Sequence, residues 1–202
     1  MTGTRTDLRA RLSVKGDYST PFSGAGQYLR RTNGILFPYT PNINVQHQVE
    51  YNTYDTVHSN FQQNAFVRSR APNIQLTANF AQQTSDEAQY LVGVMHFLRV
   101  VTKMNFGKFD RDAGTPPPVL KFSAYGQYNF SGVPVLVGSF NFLYDDNVDY
   151  VEVDIQGSAQ PVQVPSFMTS AMDLLPQYSP SLQRGFTLQS FANGTGYGEG
   201  FL

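Results

Sequence analysis

The stretch Asn73-Ile74-Gln75-Leu76-Thr77-Ala78-Asn79-Phe80 decides the fold. Ile74, Leu76, Ala78 and Phe80 are apolar, and Asn73, Gln75, Thr77 and Asn79 between them carry neutral hydrogen-bonding groups. Strict alternation is the period of a β-strand with one buried face and one wet face. A second stretch repeats it: Ile43, Val45, His47, Val49 and Tyr51 alternate with Asn44, Gln46, Gln48 and Glu50. The two predict a mainly β (α+β) domain whose strands show water, or a partner, a face of uncharged polar groups.

Composition carries the same signal. The 202 residues include 16 Gln and 13 Asn, so side-chain amides are as numerous as all charged groups together. The absence of Cys excludes structural disulfides, iron–sulfur sites and thiolate zinc. A net charge of -1 excludes a global attraction to nucleic acid or to an anionic membrane. Charge is uneven, however: Arg5, Arg9, Arg11, Lys15, Arg30 and Arg31 face only Asp7 and Asp17 in residues 1–33, and the rest of the chain is acidic. No apolar run follows this basic segment, so it does not read as a secretory signal. The most hydrophobic stretch, Leu91 to Val101, is much too short to span a bilayer.

Three segments emerge. Residues 1–33 read as a basic extended N-terminal arm with one short helix around Thr6 to Leu12. Residues 34–156 read as the β domain, interrupted by a helix over 85–104. Thr84-Ser85-Asp86-Glu87 is a capping box that starts this helix, Arg99 and Lys103 complement its C-terminal dipole, and Gly107 is a plausible stop. After the stiff connector Gly114-Thr115-Pro116-Pro117-Pro118, strands are expected at Val119–Tyr125, Gln127–Phe130, Val133–Tyr144 and Val148–Ile155, with Asp145-Asp146-Asn147 as the turn between the last two. Val133 to Tyr144 reads as apolar on both faces, with Val133, Val135 and Val137 on one and Leu136, Phe140 and Phe142 on the other. Pro134 marks its start as an edge. Residues 157–202 read as an extended C-terminal arm that docks on neighbouring subunits through Phe167, Met172, Leu174, Leu175, Tyr178, Phe186, Leu188 and Phe191.

Catalytic chemistry finds no foothold. His47, His58 and His96 lie on three different elements without metal-ligand spacing, and no nucleophile elbow, P-loop or zinc-protease helix is present. Gly24-Ala25-Gly26 reads as a flexible joint. Asp145, Asp146, Asp149, Glu152 and Asp154 read as an acidic turn and the solvated face of a last strand, or else as a surface that repels phosphate. The sequons Asn129-Phe130-Ser131 and Asn193-Gly194-Thr195 read as chance matches. No catalytic residue, metal site or cofactor is expected.

Several segments, in order, resemble one family: the tail tube cap and tail tube initiator proteins of the baseplate in contractile-tailed bacteriophages. The resemblance runs through Glu87-Ala88-Gln89-Tyr90-Leu91, His96-Phe97-Leu98-Arg99 and Thr102-Lys103-Met104 to Gly114-Thr115-Pro116-Pro117-Pro118-Val119-Leu120. It continues in Val133-Pro134-Val135 and Asp146-Asn147-Val148-Asp149-Tyr150-Val151, and closes with Pro176-Gln177-Tyr178-Ser179, Gly185-Phe186-Thr187-Leu188 and Phe191. It covers roughly Pro38 to Leu202, and residues 1–33 have no counterpart in it.

The resemblance implies a tail-tube-like antiparallel β-sandwich or barrel with one flanking helix, in a homo-hexameric ring with a lumen that the phage DNA crosses. Its partners would be the adjacent tail tube ring and the baseplate hub and wedge proteins, its place the virion after assembly in the host cytoplasm, with no membrane and no cofactor. Gln46, Gln48, Glu50, Gln75, Thr77, Asn79, Glu152 and Asp154 are the lumen-facing candidates. Pro134, Phe140, Phe142, Tyr178, Phe186, Leu188 and Phe191 are the candidates for contacts between subunits or rings. A lumen of amides and hydroxyls with a few acids would hydrate its wall without offering phosphate a cation. Two alternatives stand beside this one, a major tail tube protein and a small non-catalytic ligand-binding β-sandwich that uses Tyr, Asn and Gln for polar recognition.

Overall fold

The computed structural model describes residues 7–16, 18–55, 57–107 and 113–202. Among them run nine strands: β1 (Arg11–Val14), β2 (Gly34–Leu36), β3 (Asn42–Tyr54), β4 (Gln63–Ala81), β5 (Leu120–Ala124), β6 (Phe130–Tyr144), β7 (Tyr150–Val153), β8 (Val162–Pro165) and β9 (Phe167–Pro176). Helix α1 (Ser85–Val101) follows β4, and short helices α2 (Pro180–Gly185), α3 (Leu188–Ala192) and α4 (Thr195–Gly198) end the chain. Seven strands form one antiparallel sheet in the order β2-β1-β5-β6-β9-β4-β3, and β7 and β8 pair separately. The protein is mainly β, of the α+β class.

Alternation in β4 builds the sheet as read. Ile74, Leu76, Ala78 and Phe80 are fully buried, while Gln75, Thr77 and Asn79 are exposed. The buried set joins Leu12 and Val14 of β1, Leu120 and Phe122 of β5, Val133 and Val135 of β6, and Met168, Met172 and Leu174 of β9 in one core. Helix α1 adds Ala88, Leu91, Val94, Phe97, Leu98 and Val101 to it. The capping box forms: Thr84 Oγ1 accepts the Glu87 N–H, and Glu87 Oε2 accepts the N–H groups of Gln83 and Thr84. Those two backbone donors hold the Glu87 carboxyl below its ordinary range. Helix α1 ends at Val101, three residues short of the expected 104, with Thr102 as its C-cap and the Thr102 hydroxyl donating to the Leu98 carbonyl (2.9 Å).

Both arms are corrected. The first six residues lie outside those described, but from Ala10 onward the N-terminal segment contributes to the core: Ala10, Leu12, Val14, Phe22 and Leu29 are buried, and Leu12 and Leu29 have no exposed surface. Strand β1 runs over the end of the expected Thr6–Leu12 helix, pairing with β2 and β5. Gly24-Ala25-Gly26 opens a 3-10 segment (Gly24–Thr32) packed on α1, with no room for a side chain at Gly26 against the Pro21 carbonyl and a close approach between Gly93 and the Ala25 carbonyl. Gly26 and Gly93 serve close packing, whereas Gly24 has open space around it and supplies a left-handed backbone turn (φ 54°). At the other end β9 lies between β6 and β4, in the middle of the sheet, so the domain does not stop at residue 156.

Strand β6 is corrected in an instructive way. Val137 pairs with Leu174 and Ser139 with Asp173, so Gly138 is an extra residue, a β-bulge that shifts the alternation by one. Phe140 and Phe142 therefore join Val133, Val135 and Val137 on the core side, and the strand has one apolar face instead of two. Pro134 is not at an edge, since β6 lies between β5 and β9. Its carbonyl accepts the Gln177 N–H just past the end of β9, so the side on which its own N–H is missing has no further ladder to lose. The expected hairpin across Asp145-Asp146-Asn147 does not form either: β7 leaves the large sheet and pairs with β8, and residues 127–129 are a turn.

The two edges of the large sheet differ. At β2 the Tyr90 hydroxyl donates to the Leu36 carbonyl (2.9 Å) and accepts the Leu36 N–H (2.7 Å), while Thr32 Oγ1 donates to the Gly34 carbonyl (2.6 Å). Burial pushes the Tyr90 phenol above its ordinary range. No such groups reach the outer edge of β3 among the described residues.

Two stability measurements check this account. Thr84→Ala should lower the unfolding free energy by about 1 kcal/mol in a denaturant titration, the usual cost of losing an N-cap. The Glu87 contribution, because its folded pKa is depressed, should be complete above its unfolded value and fade as pH falls through the folded one. Leu174→Ala, at the centre of the sheet, should cost about 2–5 kcal/mol by the same titration.

Candidate functional site

Directly paired residues of an antiparallel ladder share a face. Asn42, Asn44 and Gln46 of β3 lie opposite Thr77, Gln75 and Asn73 of β4. Gln75, Thr77 and Asn79 lie opposite Asp173, Ala171 and Thr169 of β9, and these opposite Ser139, Asn141 and Leu143 of β6. The sheet therefore presents one continuous four-strand surface in which amides and hydroxyls predominate, interrupted by Ala171, the exposed Leu143 and the carboxylate of Asp173.

Its side chains order one another. Asn44 Nδ2 donates to Gln75 Oε1 (3.3 Å), Thr169 Oγ1 to Asn79 Oδ1 (3.1 Å) and Ser139 Oγ to Asp173 Oδ2 (2.6 Å). Asn141 Oδ1 accepts the Ala171 N–H across the β6–β9 ladder (3.1 Å). A shallow groove of about 450 Å³ runs over this region, lined by Gln75, Thr77, Ser139, Asn141 and Asp173 among others. Neutral groups paired across strands hold a hydration layer without a strong field, apart from the one carboxylate of Asp173.

Beyond Asn73 the β3–β4 hairpin leaves the sheet. Strand β9 pairs with β4 only from Ile74 to Ala81, so Gln48–Tyr54 and Gln63–Arg70 form a free two-stranded ribbon. On its continuation of the polar face Gln48 and Glu50 sit opposite Arg70 and Arg68, and Glu50 Oε2 bridges both guanidiniums at 3.1 and 3.2 Å. The expectation of a cation-free wall is thus corrected for this part: Gln48 and Glu50 share their surface with two arginines. On the ribbon's other face Val49, Tyr51 and Phe66 are exposed, with Tyr51 and Phe66 edge to face at 6.1 Å.

Of the lumen-facing candidates, Gln46, Gln75, Thr77 and Asn79 come together on the central face. Glu152 is on β7, opposite Gln163 of the small sheet, and the Asp154 carbonyl accepts Gln89 Nε2 of α1, so both belong to a different surface. The contact candidates also separate. Phe140 and Phe142 pack against the core. Tyr178, Phe186 and Phe191 pack within their own chain: Tyr178 and Phe186 each meet Phe201 at 5.0 Å, Phe186 meets Phe191 at 5.7 Å, and Phe191 reaches Tyr197 at 4.7 Å. Leu188 stands exposed. The C-terminal segment folds on its own subunit because its aromatic residues are spaced closely enough to cover one another.

Sequence reasoning missed half the face, namely Thr169, Ala171 and Asp173 on β9 and Ser139 and Asn141 on β6. A signal was present in β9, where Met168, Met172 and Leu174 alternate with Thr169, Ala171 and Asp173. Ser170 hides it, a hydroxyl in the core satisfied by the Asn141 carbonyl.

The sheet also curls, bringing Val45 and His47 of β3 beside Tyr128, Asn129, Phe130, Phe191 and Tyr197 around a cavity of about 390 Å³. Tyr125 donates to the Pro41 carbonyl across the same gap (3.4 Å). Among the described residues no helix is long and apolar enough to cross a membrane. No protein-family model matches this chain, and no curated protein matches it. Asn141→Ala should strip the Ala171 N–H of its partner and cost about 1 kcal/mol, read by denaturant titration, with faster exchange at that one amide in NMR.

Proposed function

We propose that this chain is a structural protein of a contractile phage tail, a baseplate ring component that initiates or caps the tail tube and links it to the hub. Six copies surround a lumen through which the genome passes, and the chain is not an enzyme. One observation carries the reading beyond the ordered resemblance of Glu87 to Phe191: the face rich in amides and hydroxyls and free of Lys and Arg that spans the central part of β3, β4, β9 and β6. A wall for DNA must be wet yet must not bind phosphate, whose affinity for proteins comes mainly from Lys and Arg. Gln46, Gln75, Thr77, Asn79, Thr169 and Asn141 meet both demands, and Asp173 adds mild repulsion. A sheet that buries one face under α1 and curls at β3 has the architecture to give each copy one segment of such a wall.

Replacing Gln75 and Thr77 together by Lys leaves the buried face of β4 untouched. In tails assembled with this variant, genome ejection should slow several-fold and the defect should shrink as salt rises. Unchanged ejection kinetics in normally assembled tails would overturn the lumen assignment. Copy number sorts the related readings: about six chains per tail fits an initiator or cap, and many rings fit a tube protein. A stable monomer that binds a glycan and is absent from tails would carry the ligand-binding alternative in its place.

A further inference from the structure

The outward side of the large sheet continues past the amide face into charge. Lys121 of β5 pairs with Pro134 of β6, Leu136 pairs with Leu175 of β9, and Ser139 pairs with Asp173, so Lys121 stands on the same side of the sheet as Ser139 and Asp173. There it lines a cavity of about 670 Å³ with Lys15, Ser131, Ser179, Ser181 and Glu199. Both lysines are exposed, and among the described residues neither has a carboxylate within ion-pair distance, Glu199 included. Arg9 and Arg11 line the adjoining hollow, which shares Ser131 with this cavity, and they hold Asp7. Four cations against Asp7 and Glu199 leave this end of the molecule positive.

The far end of β6 is negative. Asp145, Asp146 and Asp149 follow Tyr144 in the connection to β7, Glu152 and Asp154 come next, and among the described residues no cation pairs with any of them. Arg99 of α1 shares a hollow with Tyr144 but reaches none of these carboxylates. Acids elsewhere are engaged: Glu50 by Arg68 and Arg70, Glu87 by its cap, Asp173 by Ser139. We propose that the cavity at Lys15 and Lys121 takes the acidic turn of residues 145–149 from a second copy of this chain, with Asp146 and Asp149 against the two lysines. Roughly 35 Å of extended strand separates Pro134 from Asp145, so a chain cannot place its own turn in its own cavity. Tyr144 and Tyr150 are exposed on either side of the turn, and Pro134 and Leu182 line the cavity, so each partner sets apolar surface beside its charge, as interfaces do. The contact is heterologous, cavity to turn. It keeps one direction from copy to copy and so fits a polar ring of six. It adds to the ring a surface that joins the copies, and it covers the lysines nearest the amide wall. That shielding, unlike the contact itself, rests on the lumen reading.

Exposed ion pairs are individually weak and are screened by salt, so the signature of this contact is its charge pattern. In sedimentation velocity the full chain should associate at low salt and dissociate as salt rises. Lys15→Glu with Lys121→Glu should weaken association about ten-fold or more, and Asp146→Lys with Asp149→Lys should do the same, because each set opposes like charges. A chain carrying all four substitutions, or an equal mixture of the two double variants, should regain association, with an unchanged thermal melt as the check on folding. No association of the parent, no loss in either double variant, or a loss that swapping the charges does not repair overturns the proposal. Duplex DNA held by the parent and released by Lys15→Glu with Lys121→Glu, in place of self-association, would make phosphate the occupant and overturn it too. Rings of six that form unchanged with the lysines reversed would refute this contact and leave the ring reading standing. Recovery on charge swapping in an assembly of another size would uphold the contact and count against the ring.

Discussion

The structure depends on keeping β4 in register between β3 and β9. A strand has two faces with a period of two, so a slip of one residue would turn Ile74, Leu76, Ala78 and Phe80 to water and drive Gln75, Thr77 and Asn79 into the core. Burying three unpaired polar side chains costs several kcal/mol, and exposing four apolar ones a comparable amount. The alternation therefore fixes the pairing on both sides. From it follow the shared face of four strands, the place of β9 at the centre of the sheet and the direction in which the free ribbon leaves.

What the sequence made legible and what it hid can be traced to individual residues. The alternation of β4 and the Thr84–Glu87 box were readable because each is local, and both formed as read, whereas in β3 only Ile43 and Val45 turn to the core and His47, Val49 and Tyr51 are exposed. The two faces assigned to β6 merged into one because Gly138 is a bulge, and only pairing with β9 makes that visible. Strand β9 was masked by Ser170, and β1 and β2 are too short to show a period. The N-terminal segment looked like an arm because its charge stood out more than Leu12, Leu29 and Ile35, which long-range packing buries completely. Half of the amide face was hidden for the same reason, since its β6 and β9 residues meet those of β3 and β4 only through the tertiary ladder.

Charge is arranged with the same economy. The central face carries amides and hydroxyls that satisfy one another, and the arginines of the ribbon are placed beside Glu50 instead of facing solvent alone. The edge at β2 is covered by the hydroxyls of Tyr90 and Thr32.

The central claim is that the amide face is the inner wall of a ring. A cryo-electron microscopy reconstruction of assembled tails at side-chain resolution tests it most directly. The account predicts a six-fold ring at the baseplate end of the tube with Gln75, Thr77, Asn79, Thr169 and Asn141 turned to the axis. The same face packed against protein or turned to the outer solvent, or the chain found away from the tube axis, would contradict it.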